Sequence, residues 1–225
     1  IHERLVGSEM CIRDSVPSDR MKVVFRKSNA AQKCSKEWRK MNMGIQLGIV
    51  GYGGMGGFHH RNASKIEGVQ VVGAYDIDPV RVQVAEESGL RGFSSLEDLL
   101  ACEDINTVLV AVPNDCHMEI CIAASNAGKH VICEKPAALN VDELDQMIAA
   151  AGRNGKLFTV HQNRRWDKDF RIVKDILDSG ELGKVYSIQS RLHGSGGVMF
   201  GWRGEKKHGG GMLYDWGVHF IDQLM

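Results

Sequence analysis

The chain has 225 residues, 43% of them apolar, with 28 Lys plus Arg against 28 Asp plus Glu. That length suits one large domain or two small ones, and the apolar share is enough to build a core. No apolar run approaches the roughly 18–20 residues of a membrane span, and no basic field attracts a phosphate backbone, so membrane and nucleic acid are excluded as partners.

Six cysteines (Cys11, Cys34, Cys102, Cys116, Cys121, Cys133) form no CxxC pair, which predicts reduced thiols and neither a disulfide framework nor a zinc cage. No charged-then-apolar leader opens the sequence, so a cytoplasmic location is the expectation. The charge is uneven along the chain. Residues 1–42 hold 10 of the basic and 5 of the acidic residues, a net of +5, which leaves −5 on residues 43–225. This basic head has neither a period of 2 nor one of 3.6, and it reads as a disordered or extraneous tail. Its opening Ile1–Ser15 segment resembles translated sequencing-adapter read-through, which would put the native start at Met41 or Met43. Fold reasoning therefore begins at residue 43.

From Ile45 the chain alternates strand and helix signals. Ile45–Val50 is an apolar run that ends in Gly51-Tyr52-Gly53-Gly54-Met55-Gly56-Gly57, after which Phe58 to Ser64 is helical. Val69–Tyr75 is a second strand closed by Asp76. Asp78 and Pro79 supply a cap and first-turn proline for a helix to about Ser88. Phe93 marks a short edge element, and Ser95 caps a helix bearing Leu96, Leu99 and Leu100. Thr107–Val112 is apolar throughout, as for a parallel strand buried on both faces. Met118, Cys121, Ile122 and Ser125 share one helical face with Gly128 as the stop. Strand His130–Cys133, a helix capped by Asn140 and Glu143, and strand Leu157–Val160 complete the series. Such alternation predicts an α/β fold: a doubly wound parallel sheet over residues 43–160. A helix with Phe170, Val173, Ile176 and Leu177 follows. An alternating strand through Tyr186, Ile188, Ser190 and Leu192 and a Gly209–Met225 helix then open a second α+β unit over 161–225.

The glycine turn is the first chemically informative site. A phosphate approaches the backbone closely only where no Cβ intervenes, and Gly51, Gly53 and Gly56 give G-x-G-x-x-G between a strand and a helix. Asp76 stands 20 residues beyond Gly56 at the end of the second strand, where a carboxylate bonds the ribose hydroxyls of a dinucleotide. It would repel a 2′-phosphate and so favours NAD over NADP; Arg81 close by is the residue type that accommodates such a phosphate.

Three further motifs complete a pattern. They are Ala111-Val112-Pro113-Asn114 with His117, then Cys133-Glu134-Lys135-Pro136, and finally Gly209-Gly210-Gly211-Met212-Leu213-Tyr214-Asp215-Trp216-Gly217-Val218-His219 with Asp222. The chain from Ile45 onward resembles the glucose–fructose oxidoreductase/inositol dehydrogenase (Gfo/Idh/MocA) family. Four separated motifs in the family's order carry the resemblance.

Without the family, Lys135 lies just past a strand's C-terminal end, where open α/β sheets place their ligands. Asp215 and His219 are four apart and share a helix face. Alcohol oxidation needs a proton acceptor and a cation for developing oxyanion charge, and these residue types provide both. The resemblance implies His219 as proton acceptor, Asp215 as the residue orienting His219 or substrate, and Lys135 as the group polarising the reacting oxygen. The residues alone leave open whether His219 or Lys135 takes the proton. The resemblance further implies cofactor contacts at Tyr52, Gly54, Met55, Pro113, Asn114, His117, Glu134, Lys135, Asn163, Trp202 and Arg203. Arg164, Arg165 and Trp166 are expected to pack at the start of the second unit. His59 and His60 point about 100° apart on a helix with no third donor nearby in sequence, so no metal is expected.

The expected function is NAD(P)-dependent hydride transfer to or from a sugar, polyol or inositol-like alcohol. A glycosidase using NAD transiently, or a non-catalytic dinucleotide-sensing regulator, are the other readings the resemblance allows. Lys135, Asp215 and His219 argue against the regulator. Met225 falls inside a helix pattern, and the resemblance implies a larger second domain and a homo-oligomer for the full-length protein.

Overall fold

The computed structural model describes residues 44–193 and 201–225. The expectation of a tail over residues 1–42 lies outside them. Among the described residues no helix is long and apolar enough to cross a membrane.

Six parallel strands form one sheet in the order β3-β2-β1-β4-β5-β6. They are β1 (Ile45–Val50), β2 (Val69–Tyr75), β3 (Arg91–Gly92), β4 (Thr107–Val110), β5 (His130–Cys133) and β6 (Phe158–Val160). The connecting helices are α1 (Gly54–Ala63), α2 (Pro79–Glu87), α3 (Leu96–Ala101), α4 (His117–Asn126) and α5 (Val141–Arg153). The strand order reverses between β1 and β4, so the loops after those two strands diverge and open a crevice at the sheet's C-terminal edge.

Alternation along the strands divides the core between the two faces of the sheet. Leu47, Ile49 and Leu109 pack with Ala74, Ala85 and Leu90 on one side. Val50, Val108, Val110 and Val131 pack with Leu99, Cys121, Ala124 and Met147 on the other. The central β4 is buried at all four positions, as its unbroken apolar run requires.

Local chemistry sets the helix starts. The Asp78 carboxylate accepts from Val80 N at 3.0 Å, ahead of Pro79 in the first turn. Ser95 Oγ accepts from Asp98 N at 3.0 Å. Asn140 Oδ1 accepts from Glu143 N at 2.9 Å, and Glu143 reaches back to Leu139 N at 2.9 Å, one residue earlier than a standard capping box. Buried Lys129 donates to the carbonyls of Cys102 (2.8 Å) and Ile105 (2.7 Å) just past α3, which satisfies acceptors the helix leaves open.

Helix α6 (Lys168–Ser179) ends at Gly180, whose φ of 76° suits only a residue without a side chain. Two expectations need correction here. The strand predicted through Tyr186, Ile188, Ser190 and Leu192 is absent: no described residue pairs with it in a ladder, and Tyr186 is 96% exposed. Alternation gives a strand only where a neighbour accepts its backbone hydrogen bonds. The Gly209–Met225 helix starts later and is not uniform. A π-helical turn (Leu213–Gly217) leads into α7 (Val218–Leu224), a form met mostly as single turns at functional sites.

Candidate active site

The glycine turn closes β1. Gly51 has φ 90°, and a Cβ there would lie 2.5 Å from the Ala111 carbonyl oxygen, so only glycine permits the turn between β1 and the end of β4. A Cβ on Gly56 would overlap the Gly51 carbonyl, which shows how closely the first turn of α1 is packed on the strand. The surroundings of Gly54 are open, and Met55 is half-buried beside it. The N-terminal N–H groups of the ten-residue α1 are thereby presented at the crevice.

Asp76 sits against this turn, 7% exposed. One of its oxygens accepts from Tyr52 N at 2.7 Å and the other from Asp78 N at 2.9 Å. Arg81 is exposed, with Nη1 3.5 Å from the Asp76 carboxylate and 3.1 Å from where a Gly53 Cβ would stand. An acid at the strand end with an arginine beside it is thus adjacent to the glycines. The sequence could not show that the acid also braces the turn through Tyr52 N.

Across the crevice, Pro113 precedes a short 3₁₀ turn (Asn114–Cys116) that leads into α4. Asn114 is buried and donates to the Gly209 carbonyl at 3.0 Å, tying this loop to the second motif. His117 is fully buried, with Nδ1 2.8 Å from the Pro136 carbonyl and Nε2 3.0 Å from the Val112 carbonyl. Two carbonyls at these distances would suit an imidazolium, but burial acts the other way and lowers its pKa. The His117 side chain is thus enclosed between the two loops.

Lys135 leaves the end of β5 and meets Asp215, 80 residues later. Its Nζ donates to Asp215 Oδ1 at 2.7 Å and to the Asp215 carbonyl at 2.8 Å, with both side chains largely covered. Arg203 Nε is 3.6 Å from the same carboxylate oxygen, and its guanidinium lies 4.4 Å from the Trp202 ring centroid. Trp202 and Arg203 therefore flank the ion pair. His219 is 4% exposed and carries a buried Nδ1 that has no hydrogen-bond partner among the described residues. Burial, aided by the Lys135 and Arg164 cations and opposed by Asp215 and Glu134, lowers its pKa to about 4. The ring is therefore neutral at physiological pH.

Asn163 begins a 3₁₀ turn (Asn163–Trp166) and is exposed. Next to it Arg164 covers the Trp216 ring at 4.2 Å, and Arg165 forms a two-pronged pair with Asp222 at 2.7 and 2.5 Å. The expected packing role of these arginines is what the contacts show.

One cluster was missed by sequence spacing. Glu134, 6% exposed, accepts from His59 at 2.6 Å and from His161 at 3.1 Å. His59 does have further donor groups beside it in space, because β5 and β6 deliver Glu134 and His161 to α1. His60 instead bonds the Tyr52 hydroxyl at 2.6 Å.

The model of an oxidoreductase family with an NAD-binding Rossmann fold matches residues 45–162, and the Gfo/Idh/MocA C-terminal domain matches residues 170–225. The chain belongs to the Gfo/Idh/MocA oxidoreductase family. It is similar to the inositol 2-dehydrogenase of Salmonella typhimurium, 34% identical over 69% of this chain and 48% of the relative. It is 33% identical to the scyllo-inositol 2-dehydrogenase (NADP(+)) of Bacillus subtilis over 80% of this chain and 51% of that one. The crystal structure of an NAD-binding protein from Listeria innocua superposes with a TM-score of 0.78 at 46% identity, covering 80% of this chain and 53% of the other. The chain spans about half the length of these Gfo/Idh/MocA relatives.

Proposed function

We propose that the whole protein is an NAD(P)-dependent dehydrogenase that oxidises a secondary alcohol of an inositol, polyol or sugar, with NAD preferred over NADP. The reading assigns cofactor binding to residues 43–160 and substrate contacts to the unit that begins at 161. The observation that carries it is the meeting of Lys135 with Asp215 beside a neutral, buried His219 at the sheet's C-terminal edge. The names of the inositol dehydrogenase relatives support the substrate class.

The residues fit a dinucleotide. Gly51 and Gly56 leave a cradle that a Cβ would fill, α1 presents its N-terminus there, and Asp76 stands at the ribose position. Gly53, Gly54, Tyr52 and Met55 would hold the pyrophosphate side. Pro113, Asn114, Glu134, Asn163, Trp202 and Arg203 would hold the other end. When bound, the nicotinamide supplies the hydride acceptor. His219 Nδ1, which has no hydrogen-bond partner among the described residues, takes the hydroxyl proton. The Lys135 ammonium offsets the charge that grows on the oxygen as that proton leaves. Asp215 orients the ammonium through both of its hydrogen bonds and balances its charge, while Arg203 holds the carboxylate from the other side.

The test is NADH formation by the full-length protein with a panel of inositols, polyols and hexoses. Lys135→Ala is expected to lower turnover by about 10²–10⁴-fold while NAD affinity stays within a few-fold, because the lysine acts on transition-state charge. Cleavage of a chromogenic glycoside without net NADH, or near-normal turnover by Lys135→Ala, would overturn the reading.

A further inference from the structure

We infer that His59 and His161 are positioning residues that clamp Glu134 and, through it, hold Lys135 in register with the glycine-turn helix; this rests on the dehydrogenase reading above.

The geometry identifies donors and acceptor. His59 Nε2, from α1, lies 2.6 Å from Glu134 Oε1, and His161 Nδ1, just past β6, lies 3.1 Å from the same oxygen. The other oxygen, Oε2, accepts from Lys135 N at 3.1 Å. Three N–H groups from three segments thus converge on one carboxylate, and the two rings meet edge to face with centroids 4.6 Å apart. Because a carboxylate oxygen can only accept, His59 presents an Nε2–H and His161 an Nδ1–H to it.

A buried carboxylate without such donors would favour its neutral form. Burial raises the Glu134 pKa, but the hydrogen bonds and charges of His161 and His59 outweigh it and hold the group well below the usual carboxylate range. The other ionisable groups that face Glu134 are His117 and His219.

The distances favour hydrogen bonds over a shared metal. Two ligands of one tetrahedral zinc stand roughly 3.3 Å apart at the usual bond lengths, and His59 and Glu134 are closer than that. The consequence is mechanical. Helix α1 carries the glycines, β5 carries Lys135, and the clamp joins them across 75 residues of sequence. Cofactor seated on α1 and the ammonium that acts on substrate are then held as one piece.

The experiment uses the 225-residue chain and the full-length protein together. Long-range ¹⁵N–¹H NMR on the chain is expected to show the Nε2–H tautomer for His59 and the Nδ1–H tautomer for His161. Carboxyl ¹³C shifts are expected to show Glu134 ionised throughout the ordinary range. His59→Leu and His161→Leu should each raise the Glu134 midpoint by at least about one pH unit. His59→Gln and His161→Asn, whose amide nitrogens stand in for Nε2 and Nδ1, should restore it. In the full-length protein the Leu variants should lose about tenfold in kcat with KM for NAD little changed, and the amide variants should recover most of it. The opposite tautomers, an unmoved Glu134 midpoint, or no rescue by the amides would overturn the clamp. So would stoichiometric Zn²⁺ binding that disappears in Glu134→Gln, since the rings would then be ligands. If the full-length protein turns over no alcohol, the dehydrogenase reading falls while the tautomer and midpoint results still decide the clamp.

Discussion

Acid should weaken this fold through His219. Burial first, then the Lys135 and Arg164 cations, bring its pKa from 6.5 to about 4, and the ring is 4% exposed. A histidine with a depressed folded pKa favours folding while it is neutral. Its contribution is fully present above pH 6.5 and is lost as pH falls through about 4. Converted at about 1.4 kcal/mol per pH unit, the fall from 6.5 to about 4 bounds the contribution at about 3.5 kcal/mol. Lys135 and Asp215 keep 16% and 18% of their side chains exposed, so water reaches the mouth of the site. Screening there brings the expected loss to roughly 1–2 kcal/mol. Urea unfolding at several pH values between about 7 and 4.5 measures it, with His219→Leu as the chain that cannot titrate at this position. His60, His117 and His130 are also pushed down by burial, but they are common to both chains and drop out of the difference. The wild type should lose more stability than His219→Leu across this window by the stated amount. Equal losses would refute the claim that a neutral, desolvated imidazole is built into the site.

Two further outcomes follow from the glycine turn. Gly56→Ala, whose Cβ would overlap the Gly51 carbonyl, should destabilise by about 2 kcal/mol or more and weaken NAD binding; Gly54→Ala, facing open space, should stay within about 0.5 kcal/mol of wild type. Urea midpoints separate the two, and equal effects would contradict the packing role given to Gly56. Titration calorimetry should show tighter binding of NAD than of NADP, and Asp76→Ser should narrow that gap by about tenfold; tighter NADP binding by the unmodified chain would reverse the assignment of Asp76.

What the sequence discloses here is what short-range chemistry determines. The central strands are legible because β4 and the second half of β1 are buried and apolar, and the helix starts because Asp78, Ser95 and Asn140 each accept from a first-turn N–H. Gly51 is legible because its neighbours on either side are a strand and a helix. The failures are all matters of partners. Residues 186–192 alternate correctly, but no described strand lies beside them to make the ladder. The triad of Glu134 with His59 and His161 is invisible along the chain because its members sit 75 and 27 residues apart in sequence, brought together only when β5 and β6 line up behind α1. Lys135 and Asp215 are 80 residues apart, and the sequence singles out each residue, because each lies in an informative motif, without disclosing the ion pair between them. Separation in sequence is therefore not what hides a site residue. An isolated histidine on a helix carries no hint of its partner, whereas a lysine at a strand end and an aspartate four before a histidine each imply a site.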